Sequence, residues 1–386
     1  MKEPIRILQV SAGNIMSGGV EAFVMNLYRH IDRSKIQFDF LTPSKTTFGK
    51  YKDEIESLGG NIYELGVYYN KYTRLFQLLY KLPYFFEKSK YKYKIVHVHT
   101  GSITTEISMN LIGKLCGIPI RIAHSHSCGN EQGALFKLLQ NISKKVLRYC
   151  ATDYLSCSEK ASYRLFSNNL IANNEIRIIK NGIDLKKFSF NLENRKKIRT
   201  QFNIENKFVI GHVGCFLPVK NHRFLINIFS NILKQKENAC LMLVGEGTDL
   251  MQIKQIVRNM HLEDKIIFAG HCENVYEILS AFDVFVMPSL HEGFPVSLIE
   301  SQANGLPSFI SDVITDEIIL SPLINKIPLS LSADEWAEEI LSKYKPRSLK
   351  EGYIFKSLEE YDVRNTAQDL SDFYLNKYKT ITDKAI

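Results

Sequence analysis

Twice along the chain, short apolar runs alternate with longer segments whose apolar residues recur at helical spacing. That alternation is the mark of repeated βαβ units, which pair their strands into a parallel sheet with helices on both faces. In the first series strands are predicted at 5–10, 38–41, 61–65, 95–99, 120–124, 153–156 and 176–179. Directly after the first of them, Val20, Phe23, Val24, Leu27 and Ile31 line one helical face, so a helix opens straight after Ser17-Gly18-Gly19. The second series places strands at 208–213, 240–244, 266–269, 284–287 and 307–310, with a helix through Phe224, Leu225, Ile228, Phe229, Ile232 and Leu233. A turn-forming cluster, Asn181-Gly182-Ile183-Asp184, separates the two. The expectation is therefore a domain over 1–187, a second over 188–365, and a helical tail over 366–386 that packs back on the first. Two such sheets facing each other would set their strand carboxyl ends around one cleft, where open α/β sheets bind ligands.

A chain of 386 residues is long enough for two domains with cores of their own, and 45% hydrophobic with 23% charged residues excludes a disordered polymer. Apolar runs such as Val284-Phe285-Val286-Met287 stop at Pro288, far short of the roughly 18 residues of a membrane span. Arg6 interrupts the place where a secretory signal would be apolar, and the seven cysteines are scattered without a Cys-x-x-Cys spacing. Both features predict a cytoplasmic protein with reduced thiols. Charge is distributed unevenly: up to Lys187 there are 27 Lys and Arg against 15 Asp and Glu, and from Phe188 onward 22 against 26. A basic first half suits an anionic partner surface, either nucleic acid or phospholipid, with a solvated lysine-rich face as the plainer alternative. Segment 71–94 concentrates it, with seven Lys and Arg, the single acid Glu87, and Tyr72, Phe76, Tyr80, Tyr84, Phe85, Phe86, Tyr91 and Tyr93 interleaved. That mixture fits a helix resting among lipid headgroups, and fits as well a helix packed through Phe76, Leu79 and Leu82 with its lysines in water.

The strongest local signal is the run from Ser289 to Glu300. A strand ends at Pro288, a loop carries Glu292 and Gly293, and Pro295 is placed at the first helical position, where its missing N–H costs nothing. The amides of Val296 and Ser297 then point out of a helix N-terminus, an anion site suited to a diphosphate. Glu292 and Glu300 lie too far apart for a tight catalytic pair but can reach different parts of one extended ligand. Lys220, at the end of the loop after the strand 208–213, can neutralise phosphate oxygens, although an exposed loop lysine is common. Gly18 and Gly19 offer a Gly-rich turn that alone is weak, and Gly245-Glu246-Gly247 reads as a structural turn. His124 and His126 stand two apart after a strand; with no third ligand at a recognisable spacing they favour a hydrogen bond to a sugar over a metal. His97 and His99 are read as structural. No Asp-x-Asp pair for holding Mn²⁺ or Mg²⁺ occurs.

Taken together, Ser17-Gly18-Gly19-Val20-Glu21, His124-Ser125-His126, Lys180 to Asp184, Gly214 to Lys220-Asn221-His222, Gly245-Glu246-Gly247 and Glu292-Gly293-Phe294-Pro295 to Glu300 resemble the retaining family 4 glycosyltransferases of bacterial capsule and exopolysaccharide assembly. The resemblance spans nearly the whole chain. It implies the GT-B fold, two Rossmann-like domains of which the first takes the acceptor and the second a nucleotide sugar, with a UDP-sugar as the donor. By the same resemblance His126, Glu292 and Lys220 are the catalytic set: His126 touches the donor sugar, Lys220 neutralises the diphosphate, and Glu292 holds the sugar. Gly18, Gly19, Gly293, Phe294, Pro295, Val296 and Ser297 bind the donor and Glu300 its ribose. No metal or cofactor is implied, the acceptor is a lipid-diphosphate-linked glycan, and the site of action is the inner membrane face. One departure stands out, since the family usually carries arginine beside the glycine at 214 and this chain has Cys215. Cys215 makes a transfer-inactive sugar-nucleotide-binding protein the alternative reading, and a sugar-nucleotide epimerase on the same fold is a third.

Overall fold

A computed structural model describes residues 3–11, 19–43, 51–67, 74–99, 103–126, 134–347 and 352–383. Contacts divide the chain into two units, Met1–Gly182 with Val363–Ile386, and Ile183–Asp362. The sequence places these boundaries five residues later and three residues later, respectively. Gly182 shows why the chain divides there: a Cβ on it would lie 2.7 Å from the Cα of Val363 and 2.6 Å from the Thr366 hydroxyl, so only glycine lets the returning chain pass so close.

The first unit is a seven-stranded sheet in the order β3-β2-β1-β4-β5-β6-β7, every pairing parallel. Its strands are β1 (Ile5–Ser11), β2 (Ile36–Thr42), β3 (Ile62–Glu64), β4 (Ile95–His99), β5 (Ile120–Ser125), β6 (Asp153–Ser156) and β7 (Ile176–Ile178). β1, β2 and β4 are buried along nearly their whole length, as strands of a parallel sheet covered on both faces are, and polar residues such as Gln9, Asp39, His97 and His99 are buried with them. The helix Gly19–His30 lays Phe23, Val24, Leu27 and Tyr28 on the sheet, and the last helix, Val363–Thr382, adds Ala367, Leu370, Phe373 and Tyr374 to the same core. Strand order reverses between β1 and β4, and such a switch point is where an open sheet binds its ligand.

The second unit is a six-stranded parallel sheet, β10-β9-β8-β11-β12-β13. It comprises β8 (Phe208–Val213), β9 (Ala239–Val244), β10 (Ile266–Gly270), β11 (Val284–Met287), β12 (Ser308–Ser311) and β13 (Ile324–Ile327). β13 is the strand that the sequence pattern does not announce. Its reversal of order lies between β8 and β11. On this sheet the helix His222–Gln235 buries Leu225, Ile228, Phe229 and Ile232. Each such side chain is worth roughly 1.5–3 kcal/mol of burial. The GT-B expectation of two Rossmann-like domains is met by the two units. No helix among the described residues is long and apolar enough to cross a membrane.

Candidate active site

At the second unit's switch point, two loops are laced together. The loop after β8 runs from Gly214 to a 3-10 turn at Pro218–Lys220, and the loop after β11 runs from Pro288 to Pro295. Leu290 donates its N–H to the Val219 carbonyl at 2.8 Å, and the Asn221 side-chain amide donates to the Pro288 carbonyl at 3.1 Å. This brings Lys220 and Glu292 together: Lys220 Nζ donates to Glu292 Oε1 at 2.7 Å, with the two side chains only 16% and 9% exposed. The lysine is thus fixed in place at the sheet's carboxyl end with its charge met by Glu292, and an anion placed there would compete with that carboxylate for it.

The helix after this loop is Val296–Ala303. Pro295 is its N-cap rather than its first helical residue, with φ −73° and ψ 97°, because its ψ is still extended. The correction leaves the site's chemistry intact. Proline offers no side chain to cap the first turn, whose amides, at Val296 and Ser297, have no intrahelical acceptor and face the helix N-terminus. Phe294 stacks on Tyr361, ring centres 6.1 Å apart, which fixes the loop just ahead of the helix. Glu300 follows a little over one turn in, and burial pushes its carboxyl up to about 7. Gly245 and Gly247 support the opposite loop. Gly245 has φ +141°, and a Cβ there would sit 2.2 Å from the Gly214 carbonyl; a Cβ on Gly247 would sit 2.3 Å from that of Phe216. Their role is close backbone approach, as the sequence reading expects.

The first unit's switch point holds a different chemistry. Gly19 is the first residue of its helix, while Gly18 lies outside the described residues. Glu21, in the first turn, accepts from the Ser11 hydroxyl at 2.8 Å and ties that helix to the end of β1. Beside it, parallel register sets His99 on β4 opposite His124 on β5. The four rings of His97, His99, His124 and His126 form a compact array, with centres 3.9 Å apart along β4 and 4.0 Å along β5. His97 Nε2 lies 3.1 Å from His124 Nδ1, and His99 Nδ1 lies 2.9 Å from His126 Nε2. Phe23 caps the array, 5.1 Å from the ring of His126. Burial pushes His126 down to about 3 and the other three well below the ordinary histidine range, so all four are neutral near pH 7.

This array corrects one sequence expectation. His97 and His99, read as structural, hydrogen-bond the rings of His124 and His126. A third imidazole does stand near: ligand atoms of His97, His99 and His124 lie within 4.8 Å of one another, so that among the described residues these three form a group that could hold a metal. Sequence spacing misses it because the third ring comes from the neighbouring strand. Both ring nitrogens of His97 and of His99 are already in hydrogen bonds, which a metal would have to break.

Comparison with known proteins agrees with this architecture. Residues 17–187 match the family model "Glycosyltransferase Family 4", and residues 194–340 match "Glycosyl transferases group 1". The chain is 33% identical over 385 residues to a Bacillus subtilis protein named as the glycosyltransferase EpsF, covering 98% of this chain and 97% of that one. It is 27% identical over 230 residues to an Escherichia coli UDP-Gal:alpha-D-GlcNAc-diphosphoundecaprenol alpha-1,3-galactosyltransferase, 58% of this chain and 59% of the relative. Among solved structures, the Anabaena protein HepE in complex with UDP-glucose superposes with a TM-score of 0.76 at 15% identity, covering 96% of this chain and all of that one, and shares its fold. The class defined by two parallel-sheet Rossmann-like units of this kind is the GT-B glycosyltransferases. Within it, this chain belongs to glycosyltransferase family 4.

Proposed function

We propose that the protein transfers a sugar, with retention of anomeric configuration, from a UDP-sugar to a lipid-diphosphate-linked glycan destined for capsule or exopolysaccharide. The observation that carries the reading is the partly buried Lys220–Glu292 pair beside the Val296–Ala303 helix, whose N-terminus no side chain caps. Lys220 and the Val296 and Ser297 amides, with Gly293, Phe294 and Pro295 shaping the loop, take the diphosphate. Glu300 takes the ribose hydroxyls. Departure of the diphosphate builds negative charge where these donors already point, and preorganised donors of this kind are typically worth a factor of about 10²–10³ in rate each. Glu292 and His126 are assigned to the sugar, and Gly18 and Gly19 to the diphosphate. In a retaining transfer the acceptor oxygen attacks the face that the diphosphate leaves, so the departing phosphate can take its proton. The chemistry is then met by lysine and amides, and no metal is required.

The UDP donor and the lipid-diphosphate acceptor are supported by the Escherichia coli relative, whose name contains both. Action at the inner membrane face is supported by the first unit's Arg74–Lys88 helix, whose Phe76, Tyr80 and Tyr84 are 72%, 55% and 64% exposed. Between this helix and β3 lies a cavity of about 690 Å³ lined by Tyr63, Leu65, Tyr84, Lys88 and Lys90. Purified protein with a panel of UDP-sugars, GDP-sugars and bare nucleotides, with and without EDTA, tests the reading by thermal shift and by transfer to a diphospholipid-linked acceptor. Selective, EDTA-insensitive stabilisation by one UDP-sugar, and an α-linked product from an α-configured donor, is expected. Inversion at the anomeric carbon, or loss of turnover in EDTA, defeats it; donor turnover without any acceptor would point to an epimerase.

A further inference from the structure

The four clustered histidines of the first unit, His97, His99, His124 and His126, are joined through Gln9 and Tyr374 into one hydrogen-bonded circuit. Tyr374 is fully buried on the last helix, and Gln9 is 2% exposed on β1. The Gln9 amide nitrogen donates to the Tyr374 hydroxyl at 3.2 Å, and Gln9 Oε1 lies 2.8 Å from His99 Nε2. The Tyr374 hydroxyl in turn lies 2.5 Å from His97 Nδ1. His97 continues to His124, and His99 continues to His126. Each neutral imidazole has one N–H and one lone pair, so fixing either end of a branch fixes every ring along it.

Gln9 Oε1 can only accept, so the proton between it and His99 belongs to His99 Nε2. His99 Nδ1 is then a lone pair and accepts from His126 Nε2–H, which leaves a lone pair at His126 Nδ1. On the other branch the Tyr374 oxygen already accepts from Gln9, so its proton goes to His97 Nδ1. His97 Nε2–H then donates to His124 Nδ1, which leaves an N–H at His124 Nε2. His126 Nδ1 and His124 Nε2 are the two ring atoms of the array that are buried with no protein partner. Turning the Gln9 amide over reverses every bond at once and gives four Nδ1–H rings instead. In either setting the four histidines share one tautomer, and the two open atoms are one donor and one acceptor.

We infer that Gln9 and Tyr374 are positioning residues that hold His97, His99, His124 and His126 in one shared tautomer, so that the unpartnered Nδ1 of His126 offers the sugar of the donor one fixed hydrogen-bonding character. This inference rests on the assignment of His126 to the donor sugar; the circuit itself does not. It makes the last helix, through one hydroxyl, part of the machinery that recognises the sugar's hydroxyls, since a ring offering the wrong tautomer turns a hydrogen bond into a lone-pair or N–H clash.

The full-length protein labelled with ¹⁵N-histidine decides the circuit directly. Two-bond ¹H–¹⁵N spectra at pH 7.5, assigned by the signals lost in single His→Asn variants, should show all four rings in the same form, Nε2–H throughout or Nδ1–H throughout. A mixed set, such as Nε2–H at His99 with Nδ1–H at His126, overturns the inference whatever the enzyme does. Tyr374→Phe keeps the packed ring and removes the hydroxyl. It should let both tautomers appear at His97 and His124 and lower kcat for transfer at least tenfold, while the dissociation constant for bare UDP changes less than twofold. Unaltered kcat with a disturbed spectrum overturns the positioning role. Absence of transfer in the wild-type protein counts against the enzyme reading instead, and the spectrum still decides the circuit.

Discussion

The carboxyl of Glu300 is the group whose ionisation the fold resists most usefully. Burial raises it to about 7, against 4.5 for an ordinary glutamate, so between those pH values the folded state holds a proton that the unfolded state has lost. Its favourable contribution is complete below pH 4.5 and disappears as pH rises through 7, at a cost of about 3 kcal/mol in all. Glu300→Gln should therefore match the wild type in thermal stability at pH 4.5, exceed it at pH 8, and bind UDP less tightly. Parallel melting-temperature profiles for the two proteins between pH 4.5 and 8 would refute this. Cys215 poses the complementary question. It is half-buried in the loop between Gly214 and Lys220, where an arginine would add a second cation to the site proposed for the diphosphate, in which Lys220 is the one cation that this loop supplies. A charge-assisted hydrogen bond is worth about 1.5–3 kcal/mol, so Cys215→Arg should tighten UDP binding roughly ten- to hundredfold by calorimetry. Unchanged affinity would mean that the charge is already met elsewhere.

Among the elements, β8 sets how closely the second sheet approaches its neighbouring helix turn. A Cβ on Gly211 would lie 1.9 Å from the ring of Phe282, which is itself fully buried. Gly211→Ala should cost about 1–3 kcal/mol by overpacking, read as a lower urea midpoint with an unchanged slope; a wild-type midpoint would show that the Phe282 ring gives way freely. The same physics explains what the sequence reveals at this scale. Strands β1, β4, β8 and β11 are legible because a parallel strand buried on both faces is rich in Val, Ile, Leu and Phe, without a break in β11 and around a few polar residues in the other three. β13 escapes because Ile324-Asn325-Lys326-Ile327 lies at a sheet edge and buries Ile327 alone. Lys220, Glu292 and Glu300 are legible because each sits at a strand end or helix start that the pattern already marks. The histidine circuit is not, because it depends on the β4–β5 register and on a tyrosine from the last helix, and neither is written in any local spacing. The packing of 71–94 also differs from the plainer expectation: Leu82 is buried, but Phe76 and Leu79 are 72% and 45% exposed, with Leu78 taking the inward position instead.

Across the whole molecule, the charge division follows the structural one. The unit made of residues 1–182 and 363–386 carries 29 Lys and Arg against 17 Asp and Glu, whereas residues 183–362 carry 20 against 24. If the second unit holds the anionic donor as proposed, its mild acidity leaves donor capture to local groups such as Lys220. The basic unit gains from an anionic surface, at about 1 kcal/mol for each Lys or Arg held near it at physiological salt. Apolar contact adds to that term: Phe76, Tyr80 and Tyr84 are exposed on one helix, and Lys88 and Lys90 lie beside the cavity it borders. Together the two forces predict binding that is reversible and strongly salt-dependent, since the electrostatic part falls off within a Debye length of about 10 Å at 0.1 M salt. In sedimentation with vesicles containing phosphatidylglycerol, the protein should pellet at 50 mM salt, largely dissociate at 500 mM, and ignore neutral vesicles. Replacing Phe76, Tyr80 and Tyr84 by serine should shift half-binding to at least tenfold more lipid without altering transfer to a short-chain, water-soluble acceptor. If the triple variant binds vesicles as well as the wild type, that helix is not the contact; if the wild type stays in the supernatant even at 50 mM salt, the basic unit has some other anionic partner.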